Sequence, residues 1–142
     1  MPTRSTLKLK ELIYGVLNTD LTLRGLLGGV GRVRHASPQQ LSEYPLVVYS
    51  LAGEIDSPFN EDLPSAITKA QVRIEVFSST SDSAQADSID DRVFALLHGQ
   101  RISNTDIAVF SCYRASRMAL FESEVNVWKI ESIYNVFSTY TP

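Results

Sequence analysis

The chain has 142 residues, of which 44% are apolar and 20% are charged, and its net charge at pH 7 is −3. This length is typical of one domain and this composition of globular proteins, so we predict a single domain over residues 1–142 and neither a disordered nor a fibrous chain. Thirteen basic residues against sixteen acidic ones offer no concentrated positive surface, which argues against a nucleic-acid-binding protein.

The cysteine content and the apolar runs favour a reducing, aqueous environment. Cys112 is the single cysteine, so no disulfide forms within the chain, and the first residues lack the apolar stretch of a secretion signal. No apolar run approaches the roughly 20 residues that a membrane-spanning helix needs. We therefore expect synthesis and residence in a reducing cytoplasm without membrane insertion.

Two helical segments are predicted at the start of the chain. Apolar residues recur at helical spacing from Leu9 to Leu17, and a break at residues 18–20 supplies a cap for a short second helix carrying Leu21, Leu26 and Leu27. The glycines that begin at Gly28 end this second helix. Because they neither follow a strand nor open a helix, we interpret them as helix termination and not as a phosphate-binding loop.

Strand-like runs occupy most of the remaining chain. They are residues 32–35, 46–51, 69–77, 106–117 and 124–140. The run at 69–77 alternates strictly between apolar and polar residues, which indicates a strand with one wet face. Between the third and fourth runs, Asp82 and Gln85 form a capping-box pattern at the start of a second long helix that ends at Gly99.

The order of these elements predicts the fold class. We predict an α+β fold, with an antiparallel or mixed sheet of about four to five strands and two main helices packed on one face. Long strands do not alternate regularly with helices, which argues against a doubly wound nucleotide-binding sheet.

The reactive side chains do not form a catalytic or metal-binding pattern. His35 and His98 have no partner at ligand spacing, and Cys112 lies in a strand-like run where a buried, inert thiol is the commoner outcome. No serine stands in the sharp turn of a hydrolase nucleophile. We therefore expect no catalytic residues, no metal and no cofactor, and hence no enzyme.

Residues 53–64 contain two prolines and four carboxylates without periodicity, which predicts a long exposed loop or hairpin tip. The loop is the candidate contact with a partner. Its charged members are either solubilising or functional, and its two apolar members either contact a partner or pack back on their own domain. The candidate residues are Glu54, Asp56, Phe59, Glu61, Asp62 and Leu63.

Four segments together resemble the small tail-completion proteins, or tail terminators, of long-tailed bacteriophages. They are residues 44–49 (Tyr-Pro-Leu-Val-Val-Tyr), 69–78, 86–97 and 133–137, and the likeness extends from about Leu9 to Phe137. The resemblance implies a structural virion protein that forms a ring, usually a hexamer, at the head-tail junction. Such a ring caps the tail tube, ends its polymerisation and offers a surface to the head connector.

The implied partners are therefore other copies of this chain, the tail tube protein and the head connector or stopper protein. DNA would pass through the ring without specific binding, and carboxylates of the acidic loop facing the lumen would repel its phosphates. A head-side connector or a tube subunit is the first alternative. A small ligand-binding or enzymatic domain using His35 or Glu54 is the second.

Overall fold

The computed structural model describes residues 2–29, 32–35, 44–56, 67–79 and 83–140. These residues form three helices and six strands. The helices are α1 (Pro2–Thr19), α2 (Leu21–Leu27) and α3 (Ala84–Leu97). The strands are β1 (Val33–His35), β2 (Leu46–Asp56), β3 (Ile67–Ser78), β4 (Ile102–Ser103), β5 (Ile107–Glu122) and β6 (Val127–Tyr140).

The six strands form one curled sheet in the order β1-β2-β3-β6-β5-β4. β1 runs parallel to β2, and every other neighbouring pair is antiparallel. The predicted α+β class with a mixed sheet is thus confirmed. The predicted number of four to five strands is wrong, because the two-residue strand β4 is too short to leave a periodic pattern in the sequence.

The main core lies between the helices and one face of the sheet. The alternating run of β3 places Ala70, Val72, Ile74 and Val76 on this face with no exposed surface, as its sequence pattern predicts. α3 contributes a buried stripe at helical spacing to the same cluster. We call this side of the sheet the helix face and the opposite side the outer face.

α2 begins and ends as the sequence predicts. Asp20 is its N-cap and accepts a 2.8 Å hydrogen bond from the backbone N–H of Leu23, while Gly28 ends the helix at φ 82°. The same carboxylate accepts two hydrogen bonds from Arg92 of α3, at 2.8 and 2.7 Å, and these lower the pKa of Asp20. This bidentate pair fastens α2 to α3.

The start of α3 differs from the predicted capping box. Ser83 is the N-cap, and Asp82 lies outside the described residues. The side-chain oxygen of Gln85 accepts a 2.6 Å hydrogen bond from the hydroxyl of Ser78 at the end of β3. Gln85 therefore links the helix to the sheet, which local sequence spacing does not show.

The predicted loop at residues 53–64 is wrong in its first part. β2 continues to Asp56, with an irregularity in its pairing with β3 between Leu51 and Gly53. Hydrogen bonding to the long, regular strand β3 keeps the polar segment of residues 53–56 extended, although it lacks apolar alternation. Residues 57–64 lie outside the described part of the chain.

Candidate assembly surface

The longest supersecondary unit is the hairpin of β5 and β6, joined by a turn at residues 123–126. Asn126 adopts φ 53° in this turn, a left-handed conformation that asparagine tolerates well. Every residue of β5 from Ala115 to Glu122 is exposed, on both faces of the strand. The distal half of β5 is thus a projecting strand, with β6 as its one strand neighbour among the described residues.

Four large apolar side chains are exposed on this distal half and its turn. They are Met118 (53%), Leu120 (41%), Phe121 (45%) and Val125 (53%). Phe121 packs on the ring of Trp128 at 5.1 Å between centroids, and residues 121–125 line a shallow depression of about 330 Å³. Met118 and Leu120 lie on the outer face and Phe121 on the helix face, and large apolar side chains exposed together at one end of a hairpin are typical of a protein-protein contact. We call these four residues the hairpin patch.

The edge of β5 that faces away from β6 is covered along the first half of the strand and open along the second half. β4 pairs with Ala108 and Val109, and the carbonyl oxygen of Cys112 accepts a 2.7 Å hydrogen bond from the N–H of Gly99. The N–H of Arg114 donates to the imidazole of His98 at 3.0 Å. From Ser116 to Glu122 no described strand pairs with this edge, and such an edge is a ready template for another strand.

A buried carboxylate holds the hairpin against α3. Asp90 is 1% exposed and accepts hydrogen bonds from Arg114 at 3.1 Å, Arg117 at 2.8 Å and the hydroxyl of Ser132 at 3.4 Å. Arg117 also contacts Asp87, one helical turn earlier, at 2.8 Å. We call Asp87, Asp90, Arg114 and Arg117 the hairpin anchor.

An irregularity in β5 makes this anchor possible. Residues three apart in a regular strand point to opposite faces, so Arg114 and Arg117 would not both reach α3. The pairing of β5 with β6 shifts between Arg114 and Ser116, and the extra residue, Ala115, returns Arg117 to the helix face. Arg114 in addition lies 4.2 Å above the ring of Phe94.

The structure describes only part of the acidic segment that the sequence analysis proposed as a contact. Glu54 and Asp56 lie in strand β2, and their side chains are not described. Phe59, Glu61, Asp62 and Leu63 lie outside the described residues. Their predicted role as partner or lumen contacts therefore stays a prediction. The sequence showed the apolar residues of 118–125 but gave no sign that they would be exposed.

The two histidines lie at separate places in the described structure. His35, at the end of β1, packs 5.2 Å from the ring of Tyr49, and partial burial together with Lys10 lowers its pKa. His98 stacks on Phe94 at 4.3 Å and accepts the backbone hydrogen bond described above. Within the described residues no three His, Cys, Asp or Glu side chains are placed to hold a metal ion.

Cys112 is buried in β5, 2% exposed, and burial raises the pKa of its thiol from 9.0 to about 11. At pH 8 the folded chain should therefore hold about 100-fold less thiolate than the unfolded chain. We predict that iodoacetamide leaves the native protein unmodified and alkylates it in urea, as measured by intact mass. Because the folded pKa is the higher one, protonation stabilises the fold fully below pH 9 and this stabilisation is lost as the pH rises through 11. Equal rates of alkylation by iodoacetamide in the folded and unfolded states would contradict the raised pKa of Cys112.

Comparisons with known proteins give a family and a similar fold for this chain. A model of the family described as "Tail completion protein gp17" matches residues 11–137. Among solved structures, a chain of a particle titled "Virion of native gene transfer agent (GTA) particle" is similar with a TM-score of 0.74 and 18% identity. The match covers 92% of this chain and 94% of that chain. No curated protein matches the chain, and no helix among the described residues is long and apolar enough to cross a membrane.

Proposed function

This chain belongs to the tail completion protein gp17 family, and from that premise we propose that it forms a ring, of six copies, at the end of the phage tail tube. The ring ends polymerisation of the tube and presents the surface on which the head connector or stopper docks. Membership of the family makes the chain a structural tail protein of the virion. The ring, the cap and the joining surface are the finer steps of the proposal.

The hairpin patch and the open edge of β5 are the observations that support assembly. Four large apolar side chains are exposed beside a strand edge with which no described strand pairs, and both are features that proteins bury in contacts. A heterologous contact of this kind generates a ring when its rotation closes and a filament when it does not. Termination requires the closed form.

The acidic segment supplies a second element of the proposal. Glu54 and Asp56 end strand β2, and Glu61 and Asp62 follow it in the chain. Facing the lumen, these carboxylates would repel DNA phosphates and let the genome pass without binding. A ring structure in which all four carboxylates point away from the channel would contradict this part of the proposal.

The direct test joins light scattering with electron microscopy. Light scattering across a concentration series should give a discrete mass, near six times that of one chain, and negative-stain images should show closed rings. Added to polymerising tail tube protein, the ring should fix tube length and appear at one tube end. Long filaments of this chain alone would favour a tube subunit instead. Binding to the head connector without any effect on the tube would favour a head-side stopper.

A further inference from the structure

We propose that the hairpin patch of one copy docks on a second apolar surface, on the outer face near the start of β5, in the next copy of this chain. The inference rests on the proposed ring and specifies the contact between its neighbouring copies. Among the described residues, six of the eight exposed large apolar side chains lie on β5 and its turn. Four of them form the hairpin patch, and the other two, Phe110 and Tyr113, belong to the second surface.

Three aromatic rings form this second surface. Phe110 is 42% exposed and Tyr113 is 40% exposed, and their ring centroids lie 6.3 and 6.4 Å from that of Phe137. Lys69 pairs with Phe137 on the outer face, and its ammonium lies 5.8 Å from the centre of that ring. We call Phe110, Tyr113 and Phe137 the aromatic patch. Aromatic side chains are enriched in protein-protein contacts, so a cluster of exposed rings is a surface that a partner would cover.

The hairpin end carries negative charge beside its apolar side chains. Glu122 and Glu124 are exposed and line the same shallow depression as Phe121 and Val125. Protein contacts match positive charge on one side to negative charge on the other. The surface that receives the hairpin patch should therefore combine apolar side chains with cations.

The aromatic patch has cations beside it. Lys69 lies over one of its rings. Arg101 is exposed and directly precedes Ile102, which packs on the main core and pairs with Val109. Side chains alternate along an extended chain, so Arg101 is directed to the outer side, beside Phe110. The match of charge, in addition to apolar surface, favours a second copy as the occupant of each patch.

The two patches can meet between copies but not within one. Tyr113 and Leu120 both lie on the outer face, about 20 Å apart along β5. One copy therefore presents both patches at once, and each is available to the other patch of a neighbour. A contact between two different surfaces is heterologous, which is the kind that closes into a ring.

A closed ring also determines the direction of β5. Rotation from one copy to the next carries each contact onto the following one, so the two contacts of a copy lie at the same height along the ring axis. Both patches include side chains of β5, so this strand should run around the ring and not along its axis. A ring reconstruction from electron microscopy with β5 parallel to the axis would contradict the docking.

Charge reversal tests the contact directly. One variant combines Glu122→Lys with Glu124→Lys, and the other combines Lys69→Glu with Arg101→Glu. Each variant alone sets like charges against each other, so the concentration at which rings form should rise roughly tenfold, as for two exposed ion pairs that become repulsive. An equimolar mixture of the two should assemble at the concentration of the unmodified chain, because opposite charges face each other when the variants alternate in a ring of six. Light scattering measures the mass in each case.

Glu11→Lys is the control for the added charge, because Glu11 is exposed on α1, on the helix side of the sheet. It should assemble as the unmodified chain does. Circular dichroism verifies that the variants fold, and the single changes Glu124→Lys and Arg101→Glu, both outside the strands, give the same test if a double variant does not.

Two outcomes would overturn the docking. They are reversed variants that assemble like the unmodified chain, and a mixture that does not recover assembly. In either case closed rings of the unmodified chain leave the proposed function standing. A mixture that recovers open filaments, in place of rings, supports the docking and contradicts tail termination.

Discussion

Replacing Asp90 by alanine should lower the free energy of unfolding by about 3 kcal/mol, the lower end of the range for removing one partner of a buried ion pair. Asp90 is 1% exposed and receives both arginines of the hairpin anchor. Its loss leaves Arg114 without a carboxylate partner beside the core, whereas Arg117, with a side chain 35% exposed, turns to Asp87 and solvent. Because Arg117 keeps these partners, we expect a loss at the lower end of the range.

Asp91→Ala is the matched control for Asp90. Asp91 is the next residue of α3 and is exposed, so its substitution should change stability by less than about 0.5 kcal/mol. Urea unfolding followed by circular dichroism measures both variants. A loss below about 1 kcal/mol for Asp90→Ala would mean that the hairpin is held by its sheet pairing and not by the anchor.

Replacing Met118 and Leu120 together by lysine should abolish self-assembly and leave the fold intact. Both side chains are exposed on the outer face, so the lysines can extend into water in the single chain and the thermal midpoint should stay within a few degrees. At a strand edge, such charges would have to lose water when a neighbour pairs, and proteins use edge lysines in this way to prevent pairing. Light scattering should report a single-chain mass at concentrations where the unmodified chain forms rings.

Leu21→Lys is the matched control for the edge lysines, since it adds a charge at an apolar side chain that is 75% exposed on α2, outside the hairpin patch. It should assemble as the unmodified chain does. If the double lysine variant kept the ring mass, the edge of β5 would lie outside the interface. If Leu21→Lys dissociated the ring as well, the loss of assembly would not be specific to the edge of β5.

The sequence predicted the elements whose residues carry a strong period. The strict alternation of β3 and the helical stripe of α3 indicate which face of each element is buried. The cap at Asp20 and the left-handed Gly28 set the start and the end of α2. These features depend on neighbours within a few positions in the chain, so they can be deduced without knowing the fold. The order and spacing of such segments also supported the family resemblance, which the family match confirms.

Elements that depend on distant partners could not be deduced in this way. Leu21 and Leu23 lie in the same short helix, yet Leu21 is 75% exposed and Leu23 is fully buried, because α1 and α3 pack against one side of the helix. Residues 53–56 are extended because β3 pairs with them, and the two residues of β4 form a strand because they pair with β5. In each case another element of the fold, and not the period of the residues themselves, decides the outcome.

The sequence by itself determined the α+β class, the strong helices and strands and the resemblance to tail-completion proteins. The tertiary structure alone decided which surface is available for assembly. Asp87 and Asp90 join Arg114 and Arg117 across some thirty residues, and the irregularity at Ala115 turns Arg117 toward the helix. Exposure of Met118 and Leu120 likewise follows from their place in the fold, because they lie on the outer face, opposite the helices, where β5 extends beyond β4. Side-chain exposure at a sheet edge depends on which strands are absent beside it, and a local pattern of residues does not encode that.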